Sequence, residues 1–161
     1  TNPTYASDAF VCADKELLAL DQRVRSMLVV TSLANAVAPT SLVEAAETLR
    51  ELQDRQIAAL VPGAVAADVD AILREGVLSR GLRGAFGNIS GYTLGYYAHA
   101  GPRTSDFTRT FHPGARWTVQ PGMVFHMYAS AAGVSFSETV LVTDAGPERL
   151  TRLARTLFVN T

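Results

Sequence analysis

Apolar and polar positions change period three times along the chain. Residues 16 to 38 hold two apolar runs, ELLALDQRV and MLVVTSLANAV, whose lengths and β-branched content predict strands, with Asp21 inside the first. After Pro39 the spacing becomes three and four. Leu42, Ala46, Leu49, Leu52, Gln56 and Leu60 form one stripe, which predicts an amphipathic helix, opened by a capping box of Ser41 and Glu44 and stopped by Pro62-Gly63. Val65, Val69, Ile72, Leu73 and Val77 predict a second helix from about Ala66 to Leu78, with Asp68 and Asp70 favoured in its first turn by the helix dipole.

Glycine is dense from Gly81, and GNISGYTLGYYAHAGPR predicts loops and short extended pieces. The final third has period two. WTVQPGMVFHMYAS and GVSFSETVLVT read as strands, DAGPER as a polar turn, and a last strand is expected near RTLFV. Alternation places Val124, His126 and Tyr128 on one face of the first of these strands, and Met123, Phe125 and Met127 on the other. Val134, Phe136, Glu138, Val140 and Val142 share a face of the second. Helices ahead of a sheet give an α+β class. With no repeat and no linker, residues 1–161 are expected to be a single domain.

Composition excludes more than it selects. At 161 residues, 48% hydrophobic and 18% charged, the chain fits one globular domain with a real core. Fourteen basic side chains against fifteen acidic ones give a net charge of -1, so neither nucleic acid nor an anionic membrane is expected as a partner. Cys12 is the single cysteine, which excludes an internal disulfide, and no Cys/His cluster has zinc spacing. No uncharged apolar run approaches the roughly 20 residues of a bilayer span, and the N-terminus lacks the pattern of a signal peptide. A cytoplasmic setting is expected.

The polar residues inside oily runs are the candidates for chemistry. His126 suits proton transfer near neutrality, or is a core imidazole bonded across the sheet. Glu138, if buried, needs a partner or a raised pKa; beside His126 it would form an acid–base pair, and on a solvated face it would need neither. His99 stands in the glycine-rich loop. Tyr92, Tyr96, Tyr97 and Tyr128 offer hydroxyl donors or an aromatic wall, Arg103 and Arg109 a carboxylate clamp, and His112 precedes a proline turn expected at the surface. Ser137 lacks the G-x-S-x-G setting of a serine nucleophile.

The helix pair, GYTLG, PGMVFHMYAS and GVSFSETVLVTDAGPERLT together resemble the second half of the pita-bread catalytic domain of methionyl aminopeptidase, prolidase and creatinase, over roughly residues 15 to 158. Peptidases of that family hold two divalent metals with two aspartates, a histidine and two glutamates. Carried over position by position, the first aspartate corresponds to Asp21, and the second falls in LVVTSL, which has no acid. Tyr92 stands for the histidine, Tyr128 for one glutamate, and Ser137 for the other, one residue before Glu138. One ligand of five survives, so the resemblance implies a site without metal or other cofactor. His99, seven residues after Tyr92, matches a second histidine that contacts substrate or shuttles a proton.

GMVFHM with SET is most similar to ectoine hydrolase, a member that departs from the usual ligand set; creatinase is a second metal-independent relative. The segment AHAGPRTSD departs from the ectoine hydrolase pattern. The expected function is therefore hydrolysis of a C–N bond in a small amino-acid-like or cyclic amidine compound, or the reverse cyclisation, with His99, His126 and Glu138 handling protons. Tyr92, Tyr96, Tyr128, Ser137 and Arg103 would bind the substrate. The alternatives are a catalytically silent pita-bread domain used for binding or assembly, and an Xaa-Pro-type metallopeptidase whose ligands lie in missing segments. Because the resemblance covers only the C-terminal part of a pita-bread domain, a homodimer or pairing with a missing N-terminal segment is expected.

Overall fold

A computed structural model describes residues 38–95 and 107–156. The strands expected between residues 16 and 38, together with Asp21, Tyr96, Tyr97, His99 and Arg103, lie outside the described residues.

Helix α1 (Thr40–Ala58) buries Ala45, Ala46, Leu49, Leu52 and Ile57 along the expected stripe, and with them two amides, Gln53 and Gln56. Its start corrects the predicted capping box. Pro39 occupies the N-cap position and no side chain caps the helix, so Ser41 already has helical backbone and its hydroxyl cannot reach back over the first turn. The Pro39 carbonyl instead accepts from the Leu42 and Val43 amides at 2.9 and 3.2 Å. Helix α2 (Ala66–Ser79) runs one residue beyond the predicted end. Asp68 lies in its first turn, whereas Asp70 is fully buried and forms an i,i+4 pair with Arg74.

Five strands follow among the described residues: β1 (Gly91–Leu94), β2 (Thr110–Phe111), β3 (Val124–Ala131), β4 (Val134–Thr143) and β5 (Gly146–Arg149). They form one antiparallel sheet in the order β2-β1-β3-β4-β5. Three expectations for this region change. Residues 117 to 120 make one bridge, Val65 to Thr118, rather than a strand, because the turn at Pro121-Gly122 separates them from β3. DAGPER is mostly strand: Thr143 Oγ1 accepts from the Ala145 amide at 3.2 Å and donates to the Gly146 carbonyl at 2.7 Å. The turn thereby closes within Asp144-Ala145, and Gly146 to Arg149 pair with β4. Near RTLFV, the described residues Arg155 and Thr156 are not in a strand.

Both helices lie on one face of the sheet. Phe125, Met127, Val140 and Val142 pack with Ile57, Leu60 and Val69, and Ala129, Ala131, Val134 and Phe136 pack with Leu49, Leu52, Leu73 and Val77. These strand residues all belong to the face predicted apolar by alternation. No helix among the described residues covers the opposite, open face.

Candidate functional site

The register of the sheet decides which side chains meet. Ala131 pairs with Val134, so β3 and β4 join through the two residues Ala132 and Gly133. A two-residue loop makes the paired numbers sum to an odd value, so even positions of β3 share a face with odd positions of β4. His126 therefore sits opposite Thr139 and Tyr128 opposite Ser137, on the open face, while Glu138 sits opposite Met127 beneath the helices. The predicted pairing of His126 with Glu138 is thus corrected: the two lie on opposite sides of the sheet. Alternation within each strand was legible, and the short Ala-Gly turn was the signal that would have set their relative phase.

Tyr92 of β1 faces His126 across the next ladder. Gly91 makes this close pairing possible, since a Cβ there would stand 2.8 Å from Met127 Sδ and 2.9 Å from the His126 carbonyl. A buried chain of polar groups fixes where β1 enters. Gln56 Nε2 donates to Ser90 Oγ at 2.9 Å, Ser90 Oγ donates to Asp70 Oδ1 at 2.6 Å, and the Ser90 carbonyl accepts from the Tyr128 amide at 3.1 Å. Arg74 ties Asp70 to the preceding loop through the carbonyls of Phe86 and Asn88.

On the open face the His126 imidazole is hydrogen-bonded through Nε2 to Ser137 Oγ. Tyr92 meets its ring edge-on with centroids 4.8 Å apart, and Tyr128 lies 6.1 Å away on the other side. Phe107 packs against Tyr92 at 4.7 Å. Burial pushes the His126 pKa down to about 4, so near neutral pH the ring is uncharged. In the tautomer with the ring proton on Nδ1, Nε2 accepts from Ser137 Oγ; in the other, Nε2 donates to it. Burial also raises the Tyr92 pKa, which keeps that phenol protonated. Tyr128 donates to Ser135 Oγ at 3.2 Å, and Ser135 donates to Ser130 Oγ at 3.0 Å. Ser130, Ser135 and Phe107 escaped the sequence reading; the same turn arithmetic would have found both serines.

Glu138, 1% exposed, has a different setting. Thr151 Oγ1 donates to it, Arg155 Nε stands 3.1 Å from Oε1 without the alignment of a hydrogen bond, and Arg149 Nη1 lies 3.8 Å away. Arg155 also donates to Gln53 Oε1 at 3.0 Å and pairs with Asp54. Burial lifts the Glu138 pKa to about 7; Arg149 and Arg155 oppose that rise, and Asp54 adds to it. Elsewhere, Arg109 is exposed, and His112 is half-buried rather than on the surface, its Nδ1 accepting from the Gly114 amide at 3.1 Å.

Three positions that correspond to metal ligands in the resemblance, Tyr92, Tyr128 and Ser137, do converge on one face around His126. The positions persist, but the donors do not suit a divalent ion. Two phenols and an alcohol replace an imidazole and two carboxylates, and the nearby imidazole nitrogen Nε2 is engaged by Ser137. Among the described residues no three His, Cys, Asp or Glu side chains group closely enough to hold an ion.

The model of metallopeptidase family M24 matches residues 17–144. The chain belongs to this family. The Xaa-Pro dipeptidase of Pyrococcus furiosus is 33% identical to this M24 chain over 113 residues, 70% of the chain and 32% of that protein. The solved structure of prolidase from Pyrococcus furiosus superposes with a TM-score of 0.63 at 24% identity, covering 76% of this chain and 36% of the other. The N-terminal domain of the FACT complex subunit SPT16 from chickpea, Cicer arietinum, shares the fold with a TM-score of 0.60 at 16% identity, covering 74% and 31%. The M24 chain thus spans about one third of the length of the relatives it matches, and its architecture is part of a pita-bread domain. No helix among the described residues is long and apolar enough to cross a membrane.

Proposed function

We propose that the open face is the site of a metal-independent M24 hydrolase acting on a C–N bond of a small amino-acid-like or cyclic amidine compound, in the manner that the likeness to ectoine hydrolase and creatinase implies. The observation that carries this reading is the exchange of ligand-type side chains for Tyr92, Tyr128 and Ser137 around an uncharged His126. In this reading His126 accepts a proton as an oxygen nucleophile bonds to the substrate carbon, then delivers it to the leaving nitrogen. A ring with a pKa of about 4 is a modest base, and the negative charge that develops on the substrate would raise its proton affinity at the moment it is needed. The phenol of Tyr92 would donate to that charge, with Tyr128 joining if it releases Ser135. His99, Tyr96 and Arg103 join the reading through the resemblance alone. Glu138, on the far side of the sheet, serves as a structural anchor.

The test is turnover of cyclic amidines, guanidino acids and N-acyl amino acids by the intact protein, with and without a chelator. The expected outcome is chelator-resistant activity that falls about 10²- to 10⁴-fold in His126→Gln while the circular dichroism spectrum is retained. About two equivalents of zinc, manganese or cobalt in the purified protein, with chelator-sensitive cleavage of Xaa-Pro dipeptides, would overturn it. That second reading, an Xaa-Pro metallopeptidase with ligands outside the described residues, is favoured by the 33% identity to the Pyrococcus furiosus enzyme. Absence of any turnover would leave the third reading, a binding or assembly module.

A further inference from the structure

We infer that Ser137 is a covalent nucleophile activated by His126, so that the open face works through an acyl-enzyme rather than by direct attack of water. The inference rests on the hydrolase reading above and deepens it. Ser137 stands directly opposite Tyr128, yet its hydroxyl bonds diagonally to the imidazole of His126, whose own cross-strand neighbour is Thr139. The other serines of this face are committed elsewhere, Ser135 to Ser130 and Tyr128 to Ser135. In the Nδ1–H tautomer Ser137 thus has what a serine nucleophile requires, a neutral nitrogen base within hydrogen-bond reach.

The surroundings favour the same role. Ser137 is 5% exposed, so its hydroxyl has little water to compete for the imidazole. The His126 ring contacts Tyr92, edge-on at 4.8 Å across the ladder, and Tyr128 at 6.1 Å along its own strand, which restricts its orientation. From beneath, Gln53 Nε2 donates to the carbonyls of Met127 and Phe136, both at 3.2 Å. Those residues directly follow His126 and precede Ser137, so the two strands are pinned together beside the pair. The phenol of Tyr92 is the donor this face offers an oxyanion, and Tyr128 could join it by giving up its bond to Ser135.

For an N-acyl substrate the steps balance with water as the one co-reactant; a cyclic amidine would pass through an imidate ester and give an amide instead of an acid. Ser137 Oγ bonds to the substrate acyl carbon as its proton passes to His126 Nε2; the C–N bond then breaks and the nitrogen departs with that proton. Water next attacks the acyl ester and gives a proton to Nε2. The C–Oγ bond breaks, the proton returns to Ser137 Oγ, and the acid product leaves.

The experiment treats the intact protein with a dialkyl fluorophosphate and maps the adduct by mass spectrometry. The expected result is a single adduct on Ser137, absent from Ser137→Ala and formed about a hundredfold more slowly in His126→Gln. Should these variants fold poorly, Ser137→Cys offers a second readout: its alkylation by iodoacetamide at neutral pH should be faster with His126 present than in the His126→Gln background. An unlabelled Ser137, or labelling at the same rate without His126, overturns the nucleophile. Loss of turnover in His126→Gln with Ser137 unlabelled overturns the nucleophile and keeps the hydrolase reading. His126-dependent labelling in a protein that cleaves no C–N substrate supports the pair and overturns that reading instead.

Discussion

His126 and Glu138 pull stability in opposite directions as pH changes. Folding lowers the His126 pKa from 6.5 to about 4, so between those values the unfolded chain binds more protons at this residue. Its contribution to stability is complete above about 6.5 and is lost as pH falls toward 4. Folding raises the Glu138 pKa from 4.5 to about 7, so there the native state binds more protons, and stability is complete below about 4.5 and lost as pH rises through 7. In the overlap the two slopes oppose each other. Urea unfolding from pH 4.5 to 6.5 should therefore show His126→Gln losing stability as pH rises and Glu138→Gln gaining it, with the unmodified protein flatter than either. Parallel slopes in the two variants would contradict the burial assigned to these residues. His126 and Glu138 were visible in the sequence as polar residues in oily runs, but both readings of each, catalytic or structural, fitted that pattern. The structure adds a partner for each: Ser137 for His126, and Thr151 and Arg155 for Glu138.

Among the elements, the turn between β3 and β4 has the largest influence on the site. Ala132 and Gly133 have φ of 51° and 79°, the sign required at both central positions of a type I′ turn. Alanine pays a steric cost there, so Ala132→Asn should stabilise the protein by about 1 kcal/mol, read as a shift of the urea midpoint with unchanged slope. Both helices and the inward face of each long strand were legible, because apolar period reports burial directly. The strand β5 was not, since its Gly-Pro-Glu-Arg composition is that of a turn and only pairing with β4 makes it extended. The capping box failed for a similar reason. The pattern of Ser41 and Glu44 was present, but Pro39 had already set the first turn.

Across the whole molecule, the segment after β5 is strapped to the helical side. The Leu150 amide bonds to the Thr139 carbonyl at 2.8 Å, Thr151 to Glu138, and Arg155 joins Glu138 to Gln53 and Asp54 of α1. Removing the cation takes the 3.1 Å ion-pair partner from buried Glu138 and the donor from Gln53 Oε1. Arg155→Met should destabilise by about 3 kcal/mol in urea unfolding, and adding Glu138→Gln should recover part of that loss. A strict sum of the two single effects would show that the residues do not act together. The clamp's reach to α1 could not be read from the sequence, because Gln53 and Arg155 are 102 residues apart.

The loop of two residues at the tip of β3 and β4 also works as a phase selector. Glu138 is one position away from the place where the family resemblance puts a carboxylate, and that single step sends it to the helical side and Ser137 to the open one. Val134, Phe136, Val140 and Val142 move in step with Glu138, so a slip that delivered the acid to the site would also carry four apolar side chains out of the core. The hydrophobic core thereby enforces the choice of a hydroxyl over a carboxylate beside His126.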